Sequence, residues 1–320
     1  MRYHTALPFD DDIVDCVLCR LPNFKTLKST ILASRGFMRV FDSHKISIMR
    51  EICHNYVGPF LPLSLRALRL ETAGQAANAL VGFDPFKMPD LGCETNDIGT
   101  LTFEEILQLV DNAKKVHQLE IYFSFCHKDG SSPRSTLTNE ESLRFQRAVY
   151  DIALFIQLFP PEVYKRQFTS DEVADIRAIQ VSYLESLFLL ENDLRGIYAV
   201  YLCLYSLLSQ SFLVNPTQLS DSFVGILIAL GPYKIQLEDL QNAKPLLAPL
   251  EGGSWGNAED IIYDLWINPL KDYLHHPLRQ VMKQISTKTW TEFDYELAIL
   301  DTVKEGPVAC EHSKTTLFGA

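Results

Sequence analysis

Apolar residues recur at three- and four-residue spacing along most of this chain, and runs of β-branched residues in strict alternation with polar ones are absent. That period lets a helix turn a continuous apolar stripe towards a core, so the sequence predicts an all-α protein with no sheet of consequence. Asp11 to Arg20 puts Ile13, Val14, Val17 and Leu18, with Leu21 next after it, on one face. Asp10, Asp11 and Asp12 stand at its start, and carboxylates suit a helix start because they accept from free N–H groups and complement the dipole. Leu27 to Val40 continues through Ile31, Leu32 and Phe37 to Phe41, with a break expected at Gly36. Asp42 or Ser43 is placed to cap a further helix through Ile46, Ile48, Met49, Ile52 and Val57, stopped by Gly58-Pro59.

Further helices are expected at about 62–81, 102–124, 138–159, 170–190, 192–213, 219–230, 233–243, 258–274, 278–286 and 290–304. Several begin with a hydroxyl followed by carboxylates: Thr102 before Glu104 and Glu105, Thr138 before Glu140 and Glu141, Ser170 before Asp171 and Glu172. Residues 82–100 mix Gly82, Pro85, Pro89, Gly92 and Gly99 with Asp and Asn and read as a linker or long loop. Residues 127–137 read as a surface loop, residues 251–257 as a Gly-rich connection around Trp255, and the tail after Gly306 has no periodicity. The expected organisation is a small helical module over 1–60, a helix plus linker over 61–100, a helical body over 101–306 and a loose tail over 307–320. No internal repeat of solenoid or propeller length is present.

Charge narrows the partners. The chain has a net charge of −11, yet residues 1–58 hold eight Lys/Arg against six Asp/Glu, and the remainder hold 21 against 34. An acidic body without a Lys/Arg run and interleaved aromatics argues against nucleic acid, whose affinity comes mainly from cations displacing counterions. Seven scattered cysteines in 320 residues are not a secreted disulfide framework, and the N-terminus turns acidic where a signal peptide needs an apolar stretch. The cytosol or nucleus is therefore the expected compartment. Ile197 to Val214 is free of formal charge and near the lower length for a membrane span, but it carries Ser206, Ser209, Gln210, Ser211 and three Tyr. A central core helix is the expectation there.

Leu7 to Phe41 reads as one pattern. Leu7-Pro8 opens it, Ile13, Val17 and Leu18 make the face of a first helix, and Leu21-Pro22 ends that helix. Phe24 and Leu27 start a second helix that runs to Ala33-Ser34-Arg35, with Phe37, Val40 and Phe41 following. This resembles an F-box. The continuation through His44, Ile48, Val57-Gly58-Pro59 and Leu61-Pro62 is similar to the longer form in a large fungal group of F-box-like proteins. The sequence departs from the common pattern at Leu32-Ala33-Ser34-Arg35-Gly36-Phe37, where Phe replaces the usual Trp and keeps an aromatic plug without the indole N–H.

The resemblance implies docking on the Skp-type adaptor of a cullin–RING ubiquitin ligase. By what it implies, Leu7, Pro8, Ile13, Leu18, Leu21 and Leu27 face that adaptor or the module's own small core. So short a helical unit encloses little core alone and needs a partner or the rest of its chain to pack on.

Other motifs carry less. Asp11-Asp12-Ile13-Val14-Asp15 matches the Asp-Asp-x-x-Asp that holds Mg²⁺ in class I terpene synthases, with Asp11 and Asp15 one helical turn apart. The partner motif begins at Asn192-Asp193-Leu194-Arg195, but Gly196 and Val200 stand where a hydroxyl and a carboxylate are required. Helix capping accounts for the Asp run with fewer assumptions. Cys16-Val17-Leu18-Cys19 has zinc spacing without a second pair, and Cys126-His127 and His275-His276 lack partners in sequence. Gly252-Gly253-Ser254-Trp255-Gly256 has no Lys-Ser/Thr, and Glu259 and Asp260 follow it, which would repel phosphate. No Gly-x-Ser-x-Gly or His-Glu-x-x-His occurs.

The expectation is therefore an F-box-like interaction adaptor that holds a protein substrate and needs no cofactor. The alternatives are a helical scaffold whose module is self-packed and, more remotely, a Mg-dependent helical enzyme using Asp11, Asp12 and Asp15.

Overall fold

The computed structural model describes residues 10–76, 101–128, 136–159, 169–187 and 191–213, together with residues 277, 278, 280, 281 and 299. About 90% of them are helical and none forms a strand, so this part of the chain is all-α. In order come α1 (Asp11–Cys19), α2 (Phe24–Ala33), α3 (Arg35–Val57), a 3-10 turn (Gly58–Phe60), α4 (Leu61–Ala76), α5 (Phe103–His127), α6 (Asn139–Leu158), α7 (Ser170–Leu187) and α8 (Glu191–Leu213). The linker expected at 82–100, the Gly-rich connection, the tail and the helices expected beyond 213 lie outside the described residues, apart from the isolated positions named above.

The chain divides into two compact units, Met1–Arg69 with Leu91–Lys114, and Leu70–Asp90 with Lys115–Ala320. In the first, α1 and α2 both pack on α3. Asn23 caps α2 by accepting from the Thr26 N–H at 2.9 Å and the Thr26 hydroxyl at 3.0 Å. The break expected at Gly36 falls instead at Ser34, whose backbone is extended (φ −153°, ψ 138°) and whose hydroxyl accepts from the Gly36 N–H at 3.1 Å. A hydroxyl that satisfies a free helix-start donor decides the break, and Gly36 is carried inside the first turn of α3.

The separate helix expected from Asp42 or Ser43 is a bend in α3. His44 has non-helical dihedrals (φ −122°, ψ 25°), and the Ser43 hydroxyl donates to the Arg39 carbonyl at 3.1 Å. A serine that bonds back onto the preceding turn competes with the helix's own ladder and bends it. Gly58 ends α3 at φ 73° and ψ −150°, its N–H donating to the His54 carbonyl. Beyond it, Arg50 donates through Nε and Nη2 to the Leu101 carbonyl at 3.1 and 3.0 Å. Arg69 donates to Glu105 at 2.7 Å, and Lys45 lies over the Phe103 ring. The buried faces of α3 and α4 (Ile48, Ile52, Val57, Leu61, Leu65) and of early α5 (Ile106, Leu109) make this unit's core.

In the second unit α6 is buried almost all round from Ala148 to Ile156, the pattern of a central helix, and it packs on α8. Its start is a full capping box between Thr138 and Glu141. Phe155, Phe159 and Tyr183 form a ring cluster, with Phe159 edge-on to Tyr183 at 5.5 Å between centroids. The core expectation for the charge-free segment agrees with α8, where Ile197 to Tyr201 are consecutively buried. Among the described residues no helix is long and apolar enough to cross a membrane. Lys128, at the start of the segment read as a surface loop, is buried and ion-paired to Glu141.

Candidate protein-interaction face

The apolar stripe of α1 is split in two. Val14 and Leu18 point inward, at 2% and 0% exposure, while Ile13 and Val17, one turn apart, stand outward at 51% and 45%. Successive residues lie about 100° apart on a helix, so Ile13/Val17 and Val14/Leu18 are neighbouring rows of one broad stripe. Leu27 is buried in the same unit, Leu21 is half-buried, and Leu7 and Pro8 lie outside the described residues. Of the six residues singled out by the resemblance, Ile13 thus lies on the surface, while Leu18 and Leu27 belong to the module's own core.

Polar contacts fix which row faces out. Asp11 pairs with Arg39, and Asp15 bonds the His44 ring at 2.9 Å, right at the bend of α3. At the other end Asn55 donates to the carbonyls of Cys19 at 2.9 Å and Leu21 at 3.1 Å. The Cys19 carbonyl is among those that a helix C-terminus leaves without an internal donor, and Leu21 follows just past that end. Three α3 residues, Arg39, His44 and Asn55, meet α1 and its C-terminal end in the same order along both helices and set the rotation of the shorter one, so Ile13 and Val17 are held outward. Sequence reasoning missed Asn55 and Arg39, because nothing in a periodic pattern marks which polar side chain will meet a neighbouring helix end.

The motifs singled out for possible chemistry fall partly within the described residues. Asp11 pairs with the Arg39 guanidinium and Asp15 bonds the His44 ring, both on α3, and Asp12 is exposed. Gly196 and Val200 are buried within α8. Cys16 is exposed and Cys19 half-buried; burial, then Asp15, Glu51 and Cys16, push the Cys19 thiol up to about 11. Burial pushes the Cys53 thiol up to about 12. Both free thiols therefore stay protonated at neutrality. The His127 ring rests against Phe123 at 4.4 Å between centroids. Among the described residues no three His, Cys, Asp or Glu side chains cluster closely enough to hold a metal ion. His275, His276 and residues 252–256 lie outside the described residues.

Comparison with protein-family models, curated proteins and solved structures finds no match to this chain.

Proposed function

We propose that α1 to α3 are an F-box-like docking module for a Skp-type adaptor of a cullin–RING ubiquitin ligase, and that the chain serves as an interaction adaptor that brings a protein substrate to it. The observation that carries this is the outward apolar row Ile13/Val17, held in place by Asp11–Arg39, Asp15–His44 and Asn55. A helix that is clamped at both ends and still exposes two branched apolar side chains is pre-organised for a partner. The reading needs no bond chemistry from the chain itself, and it places the protein in the cytosol or nucleus with the ligase.

A second reading, a helical scaffold with a self-packed module, draws on a different observation. Leu18 and Leu27 are already buried by the chain, and Arg50 ties α3 to the Leu101 carbonyl.

Co-expression with a Skp-type adaptor separates the two. The adaptor reading expects a complex with the native chain that Ile13→Ser/Val17→Ser weakens by about 2–3 kcal/mol, roughly 30- to 150-fold, from two branched side chains returned to water. Leu18→Asp is unsuitable as a probe, since a charge at a fully buried position unfolds the module whatever docks on it. No complex with the native chain, or a complex indifferent to the Ile13/Val17 variant, leaves the scaffold reading.

A further inference from the structure

Between Asp15 and Asp42 the chain holds no Asp or Glu, and Arg20, Lys25, Lys28, Arg35 and Arg39 all fall in that interval. All five are exposed. Arg39 pairs with Asp11; among the described residues the other four enter no ion pair. In a chain of net charge −11 this is a surface of one sign.

The helix α2 organises it. Leu27 faces the core, and Lys25, Lys28, Ser29 and Leu32, at i, i+3, i+4 and i+7, make up the opposite, solvent-facing side. Leu32 is 73% exposed, the most exposed large apolar side chain among the described residues. Arg35 follows three residues later, within about 11 Å of chain, and Met38 beyond it is 42% exposed.

A lone exposed leucine is ordinary. One set among unpaired cations is less so, because a solvated helix face commonly interleaves signs, and like charges a turn apart work against the helix. The Lys25/Lys28 repulsion has no local relief in α2, which contains no carboxylate. Carboxylates from outside would supply it.

We propose that the outer face of α2 docks an acidic polypeptide segment, its carboxylates reaching Lys25, Lys28 and Arg35 and an apolar side chain covering Leu32. A guanidinium and two ammonium groups suit carboxylates, and the leucine gives the contact a register that charge alone lacks. A lipid surface fits less well, because one leucine on a ten-residue helix offers little of the apolar area an interfacial helix buries. A nucleic acid fits less well too, since Lys25, Lys28, Ser29 and Leu32 include no aromatic ring on which a base can stack and the one ring beside them, Phe24, is half-buried. The inference goes beyond the adaptor reading and does not use the Ile13/Val17 row.

The test is fluorescence anisotropy on the full chain with a labelled peptide of Glu and Asp interrupted by leucines. Polyglutamate, phosphatidylserine vesicles and a single-stranded oligonucleotide are run beside it. The peptide is expected to bind more tightly than the other three and to weaken as salt rises towards about 0.15 M. Lys25→Glu/Lys28→Glu/Arg35→Glu should lower its affinity by at least about tenfold, and Leu32→Ser by several-fold, at exposed positions where circular dichroism verifies an intact fold. Ile13→Ser/Val17→Ser should leave peptide binding unchanged, and the α2 variants should leave any adaptor complex intact, so the two readings fail separately. The inference is overturned by absence of peptide binding, by equal affinity in the triple variant, by loss of binding in the Ile13/Val17 variant, or by tighter binding of vesicles or oligonucleotide. Equal binding of polyglutamate overturns the role of Leu32.

Discussion

Removing the ammonium from Lys128 should be among the most costly single changes in the second unit. The side chains of Lys128 and Glu141 are 5% and 0% exposed, and the Glu141 carboxylate also accepts from the Thr138 N–H at 2.7 Å as half of the α6 capping box. Lys128→Met keeps the stem and its packing but strands a buried carboxylate, which costs about 3–5 kcal/mol. Adding Glu141→Gln removes the stranded charge and keeps an acceptor for Thr138, so the double variant should be more stable than Lys128→Met alone. A coupling of about 2–3 kcal/mol between the two positions follows. Urea unfolding followed by far-ultraviolet circular dichroism measures it, with the midpoints compared at a common m-value and the two units fitted as separate transitions. The reasoning is refuted if Lys128→Met costs less than about 1 kcal/mol, or costs the same with and without Glu141.

Two glycines should respond with opposite signs in thermal melts. Gly58→Ala places a side chain at φ 73° and ψ −150° with nothing within 4 Å, so backbone strain alone should destabilise by about 1–3 kcal/mol. Gly196→Ala, inside α8 with its new Cβ at 3.8 Å from Ile299, should stabilise by about 0.5–1 kcal/mol, and a fall in melting temperature would sink that account. Glu105 provides a pH handle: burial raises its carboxyl, but the Arg69 hydrogen bond, the Thr102 N–H and the Arg69 charge outweigh that and hold it below its ordinary 4.5. Its contribution is present above the unfolded value and lost as pH falls through the lower folded one, so the stability gap between wild type and Glu105→Gln should shrink below about pH 4.5. A gap constant with pH would count against the ion pair.

Periodicity made the helices legible because a repeated apolar stripe is a local property of the sequence. Where a helix stops or bends depended on single hydroxyls competing for backbone groups, as Ser34 does two residues before the expected break and Ser43 does beside His44. Burial of Lys128 was illegible because its partner, Glu141, lies across a stretch whose composition reads as loop. Of the candidate faces, the α1 row was visible as part of a stripe and the α2 face was not singled out. The residues that place the α1 row, Asn55 and Arg39 above all, meet α1 only through tertiary packing.

The same limit explains why the pattern of α1 alone does not say what the module packs on. Its four apolar positions, Ile13, Val14, Val17 and Leu18, span about 140° of helix circumference, and a single neighbouring helix covers a stripe of about 100°. A stripe that wide asks for two neighbours. The chain supplies α3 against Val14 and Leu18, and the three polar contacts turn the remainder outward instead of letting α1 roll to bury it. If the second neighbour is a Skp-type adaptor, Ile13 and Val17 should become protected from solvent only in the complex, while Leu18 should be equally protected in both states. Side-chain labelling, with and without the adaptor, measures that difference, and protection of Ile13 and Val17 in the free chain would locate the second neighbour within the protein itself.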